Sequence, residues 1–190
     1  MSERSLSDLP GTEPRLPDDN EPLGTNPLER GIIWLGHKLS LIFALIVLIS
    51  AYEIVRRYVF DSPTLWVHET VTFMGASLFV FGGLYAFAID KHVRVVLIYD
   101  AVSERARCVL RIIHHLLGLG FSTMMVYASW FMAKESVLAP WGAFRLETSG
   151  SAWNPPFPAF LKVLILVAMV VLTVQYLLRL IRDLRQLRTL

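Results

Sequence analysis

The sequence predicts an all-α integral membrane protein: four transmembrane helices, antiparallel neighbours, with a short interfacial helix between helices two and three. Three observations predict it. The 190-residue chain is 54% hydrophobic and only 18% charged, where an average soluble chain is about 25% Asp, Glu, Lys and Arg. Its apolar residues gather in four blocks, each reaching the roughly 20 residues that cross about 30 Å of hydrocarbon at 1.5 Å per residue. The charges sit between the blocks, as in a chain solvated by lipid. Backbone amides in lipid must be satisfied within their own segment, so the spans are helices.

Residues 1–30 are polar and hold five of the ten prolines, with seven acids against three arginines. Such a segment buries too little apolar surface to offset its ordering entropy, and a disordered tail is expected. No apolar run follows a short basic start, so it does not read as a signal peptide. Residues 31–185 form the four-helix membrane domain, and 186–190 a basic C-terminal end.

The first span runs from about Ile32 to Ile54 and contains LSLIFALIVLISAY without a charge. The second runs from about Trp66 to Ile89, the third from Val109 to Ala133 and the fourth from Phe157 to Ile181. Asp61-Ser62-Pro63-Thr64 joins the first two. Pro63 cannot continue a helix, and Ser62 or Thr64 can cap the next. The second connection, about Asp90 to Arg107, is basic and partly amphipathic. Leu97, Ile98, Ala101 and Val102 fall at helical spacing, which predicts the interfacial helix. The third, about Lys134 to Pro156, carries Trp141, Trp153 and Pro155-Pro156 and reads as an ordered loop at the membrane surface. All five tryptophans, Trp34, Trp66, Trp130, Trp141 and Trp153, sit near predicted helix ends, as an aromatic belt requires.

Basic residues near the span ends set the orientation. Eleven lie on the side of the termini: Arg30, Lys38, Lys91, Arg94, Arg105, Arg107, Arg111, Arg179, Arg182, Arg185 and Arg188. Five lie opposite: Arg56, Arg57, Lys134, Arg145 and Lys162. Both termini are therefore expected in the cytoplasm, with Arg56-Arg57 as the main dissent.

Catalytic motifs are mostly missing: there is no Walker A loop, HExxH, CxxC or GxSxG. No acid lies deep in the second, third or fourth span, whereas an ion or proton pathway places ionisable groups at midplane. A stand-alone pump or channel is disfavoured. The enzyme-like alternative is a small b-type haem or quinone oxidoreductase subunit, since His37 and His114 or His115 would share a depth on helices one and three. Otherwise these are interfacial histidines. Cys108 is the single cysteine, so no intrachain disulfide forms.

Glu53 precedes Arg56 and Arg57 by three and four residues, on one helical face. The arginines read either as snorkelling anchors paired with Glu53, Asp61 or lipid phosphate, or as a contact site for a partner subunit. Glu69 opens the second helix, where an acid suits the helix dipole; it can also pair with an arginine such as Arg57. Gly82 with Ala86, and Gly118 with Ser122, are small-xxx-small pairs that allow close helix approach in lipid.

Three stretches carry a family resemblance: RRYVFDSPTLWVHE (Arg56 to Glu69), DKHVRVVLIYDAVSERAR (Asp90 to Arg107) and LETSGSAWNPPFPAFLKVLI (Leu146 to Ile165). In their order and spacing the chain resembles the small, Q-type membrane subunit of tripartite ATP-independent periplasmic (TRAP) transporters, over about residues 30 to 185. The resemblance implies a bacterial inner-membrane scaffold for a large permease subunit. It also implies a periplasmic substrate-binding protein and ion-gradient-driven uptake, typically of an organic acid. By the same resemblance Arg56, Arg57, Tyr58, Trp66 and Glu69 on the outer side, and His92 and Arg94 on the inner side, are expected to serve assembly. Gln175 resembles a glutamine of the family's last helix. No catalytic residue, cofactor, metal or nucleic-acid partner is expected.

Overall fold

The computed structural model describes residues 26–89 and 104–187. They form α1 (Pro27–Tyr58), α2 (Val67–Ala88), α3 (Glu104–Val137) and α4 (Phe157–Leu187), and no strand is found among the described residues. Each helix is long and apolar enough to cross a membrane. At 1.5 Å per residue α2 is about 33 Å long and the other three exceed about 45 Å. Those three therefore extend past the hydrocarbon, and their charged residues lie mainly toward their ends. The surface between is apolar: Leu41, Phe43, Val47 and Leu48 of α1, Phe79 of α2, and Leu117, Phe121 and Met124 of α3 are all exposed. That face suits lipid and no aqueous solvent.

Sequence-consecutive helices pair as hairpins, α1 with α2 and α3 with α4, and the hairpins meet through α2 against α4. Phe73 stacks on Phe157 near the starts of α2 and α4, with centroids 4.5 Å apart, and Phe87 packs on Tyr176 near their ends. The joining pair is therefore parallel, unlike the antiparallel hairpins it connects. Ile32, Ile33, Leu84, Ala88 and Ala168 form the core. Gly118 lies under the Tyr176 ring, where a Cβ would stand 2.2 Å from a ring carbon. Ser122, one turn on, is buried. Close helix approach thus occurs at the Gly118/Ser122 pair of α3, whereas Gly82 of α2 faces open space.

The longer helices run past the limits read from hydropathy: α1 continues to Tyr58, and α3 spans Glu104–Val137 where Val109 to Ala133 is expected. α1 starts at Pro27, so four residues assigned to the polar tail are helical. Proline suits a first helical position because its missing N–H would be unsatisfied there anyway. The Asn26 N–H donates to Glu29 Oε2 at 3.2 Å, which closes the helix start. At the other end α4 runs through Leu187 and takes in two residues of the expected C-terminal end. Neither Ser62 nor Thr64 caps α2; the cap position is Trp66, without a side-chain bond. The interfacial helix, with His92 and Arg94, lies outside the described residues.

The α3–α4 connection is held by its own backbone. Leu138 and Phe144 form an isolated antiparallel bridge. The Glu147 N–H donates to Ser136 O at 2.7 Å and the Ser149 N–H to Pro155 O at 3.1 Å. Gly142 and Gly150 take the left-handed turns, with φ of 85° and 73°.

Candidate functional site

The α1–α2 turn is built on Glu53, a buried acid at the end of a charge-free run. Its carboxylate accepts from Arg57 Nη2 at 2.9 Å, from the Thr64 N–H at 3.2 Å, and from the Thr64 hydroxyl. Arg56 Nη2 donates to Ser62 Oγ at 2.9 Å, and the Ser62 N–H returns to Arg56 O at 3.0 Å. Asp61 sits in the left-handed region, φ 48°, where the chain reverses. These bonds engage Ser62 and Thr64, which explains why neither caps α2. Arg57 is thus paired with Glu53 and not with Glu69. Tyr58 is 80% exposed, and Trp66, also exposed, leans on Tyr52 at 6.5 Å. The structure therefore divides the five outer candidates. Arg56 and Arg57 hold the turn, Tyr58 and Trp66 present aromatic surface, and Glu69 stands apart in a pocket.

That pocket has a volume of about 360 Å³ and lies between α2, the α3–α4 connection and the start of α4. Glu69, His68, Thr72, Ser149, Phe157 and Leu161 help line it. Glu69 Oε2 is sealed from solvent and has no hydrogen-bond partner among the described residues.

The opposite end carries a second polar assembly, which sequence reasoning missed. Arg179 of α4 is buried; its Nε donates to Glu29 Oε1 at 2.9 Å and its Nη2 to Phe87 O at 2.8 Å. The guanidinium also lies 4.2 Å from the Phe87 ring centroid. Charge, carbonyl and ring are each favourable partners for a desolvated guanidinium, and Phe87 O is in the last turn of α2, where the helix dipole favours a cation. Four residues on, Asp183 Oδ2 accepts from His115 Nδ1 at 2.7 Å, and Arg111 Nε lies 3.8 Å from Oδ1. Arg111 Nη2 donates to Gln186 Oε1 at 2.9 Å. Cys108 is fully buried, its Sγ 3.6 Å from Asp183 O. Hydropathy alone gives no sign of this assembly, because Glu29 looks like tail and Arg179 like one of many inner cations.

The haem arrangement does not arise. His37 Nδ1 donates to Ile33 O at 2.8 Å and its ring packs on Tyr85, while His115 is engaged by Asp183. α1 and α3 do not pack extensively on one another, so these histidines are not on facing helices. A cleft of about 680 Å³ lies between α1, α2 and α4, lined by apolar residues such as Ile32, Leu35, Phe81 and Val171. It can receive hydrocarbon, and no ionisable side chain lines it.

The arrangement thus supplies helix packing, two polar knots and an apolar flank. Residues 46–186 match the family model for tripartite ATP-independent periplasmic transporters, DctQ component, and the chain belongs to that family. No curated protein gives a significant match.

Proposed function

We propose, from that membership, that the chain scaffolds a large permease subunit in the bacterial inner membrane. The assembly takes up an organic acid delivered by a periplasmic binding protein and driven by an ion gradient. One observation supports a scaffold above a transport path. No acid or base stands between Lys38 and Glu53 in α1, between Glu69 and the end of α2, between His115 and Lys134 in α3, or between Lys162 and Arg179 in α4. A path for ions or carboxylates needs polar groups at that depth. The most polar contacts instead lie at the two ends, where one set holds the α1–α2 turn and the other joins helix to helix. In this reading both termini are cytoplasmic, in keeping with the eleven basic residues on that side.

Tyr58 and Trp66 are the exposed outer residues that a partner would cover, and His92 and Arg94 act in assembly on the inner side. Arg56 and Arg57 act on the partner through the turn they hold. The test is reconstitution in liposomes with an imposed sodium gradient. The chain alone gives no uptake, and uptake appears when the permease and binding protein are added. Robust uptake by the chain alone would sink the scaffold reading.

A further inference from the structure

We propose that the Glu69 pocket seats a cationic side chain, lysine or arginine, of the large permease subunit. The proposal rests on the scaffold reading and names the chemistry of one contact within it. Its ground is the sealed Oε2 of Glu69, which has no hydrogen-bond partner among the described residues. A carboxylate oxygen removed from water is stable only when it is paired or hydrogen-bonded, even where the rest of the side chain, as in half-buried Glu69, keeps some contact with solvent. Two cations on this face are ion-paired elsewhere, Arg57 by Glu53 and Lys162 by Glu147, and Arg56 donates to the Ser62 hydroxyl. The pocket suits a cation in other respects. Phe73 and Phe157, stacked 11° from parallel, form an aromatic wall, and rings attract a lysine or arginine head. Thr72 and Ser149 add hydroxyl oxygens that can accept from it.

Position selects the permease over the soluble binding protein. Thr72 and Leu161 lie about one turn inside the starts of α2 and α4, so the pocket extends down the helix flank, where a membrane neighbour lies. A resident subunit also keeps the carboxylate paired at all times. A binding protein that docks and leaves would strand it in every cycle.

The experiment uses the detergent-extracted complex with a tag on this chain, and the isolated chain as control. Glu69→Gln is expected to reduce retention of the permease by about tenfold or more, as loss of one partner of a buried charge pair does. The same variant leaves the thermal stability of the isolated chain unchanged or raised, because an unpaired charge has been removed. Glu69→Lys lowers retention further and is rescued by reversing one outward-facing lysine or arginine of the permease to glutamate. Unchanged retention, a destabilised isolated chain, or no rescuing reversal overturns the proposal. So does full retention of the permease with loss of the binding protein alone. If the unaltered chain retains no permease, the scaffold reading itself fails, which separates the two results.

Discussion

Arg179 of α4 and Glu29 of α1 stand 150 positions apart in the chain and meet at 2.9 Å, both buried. Through the Phe87 carbonyl the same guanidinium reaches α2, so one side chain touches three helices. α1 and α4 share no other extended packing. The contact ties the first hairpin to the second.

Breaking that pair should be far worse than removing it. Glu29→Met or Arg179→Met each takes the opposite charge away from a buried ion, at a cost of about 3 to 5 kcal/mol. The double variant loses both charges and keeps apolar volume, so it should recover most of that loss. Thermal unfolding in detergent of the three variants checks this. Additive losses in the double variant would mean that the two residues do not act as a pair.

The Glu53 carboxylate collects Arg57 of α1 and two groups of Thr64 in the α1–α2 turn, so the turn should open without it. In Glu53→Gln the amide cannot accept from Arg57 and Thr64 together as the carboxylate does. Trypsin is then expected to cut after Arg56 or Arg57 in proteoliposomes where the unaltered chain resists. Thr64→Val, which removes one of the three, should show an intermediate rate. Equal resistance of all three chains would show that the turn is held by backbone alone.

The spans were legible because lipid imposes one local rule on every residue of a segment. Arg57 with Glu53 was legible too, as an i,i+4 pair on one helix. Glu29 with Arg179 was not, because nothing local distinguishes a partner so distant in sequence. The acidic, proline-rich composition before Arg30 also hid the helix start, which rests on three residues, Asn26, Pro27 and Glu29. Thr64 misled for a related reason. It has the chemistry of a cap, but the buried acid on the preceding helix competes for it and wins.

Gly118 and Gly120 of α3 should respond oppositely to alanine. A Cβ at Gly118 would lie 2.2 Å from the Tyr176 ring, and Tyr176 is only 6% exposed, so the ring has little room to move. Gly118→Ala should cost about 2 kcal/mol through overpacking. Gly120 meets nothing within 4 Å. Gly120→Ala should therefore be neutral or stabilising by up to about 1 kcal/mol, the helix-propensity gain. Melting temperatures of the two variants measure the difference, and a similar loss at both positions would mean that α3 packs through another face.

Gln175 offers the reverse of the Glu29 case, a buried polar group whose removal should help. It is 1% exposed, and neither its Oε1 nor its Nε2 has a hydrogen-bond partner among the described residues. An unmade amide hydrogen bond costs about 1 to 3 kcal/mol of desolvation. Gln175→Leu replaces the amide with apolar atoms of similar volume at a buried position of α4, so the isolated chain should gain about 1 to 2 kcal/mol. Chemical denaturation in detergent reads the change. A loss of stability instead would show that the amide has a partner in the folded chain. A gain in the isolated chain with weaker hold on the permease would place that partner on the other subunit, because a group that destabilises its own chain is supported only by what it does in the assembly.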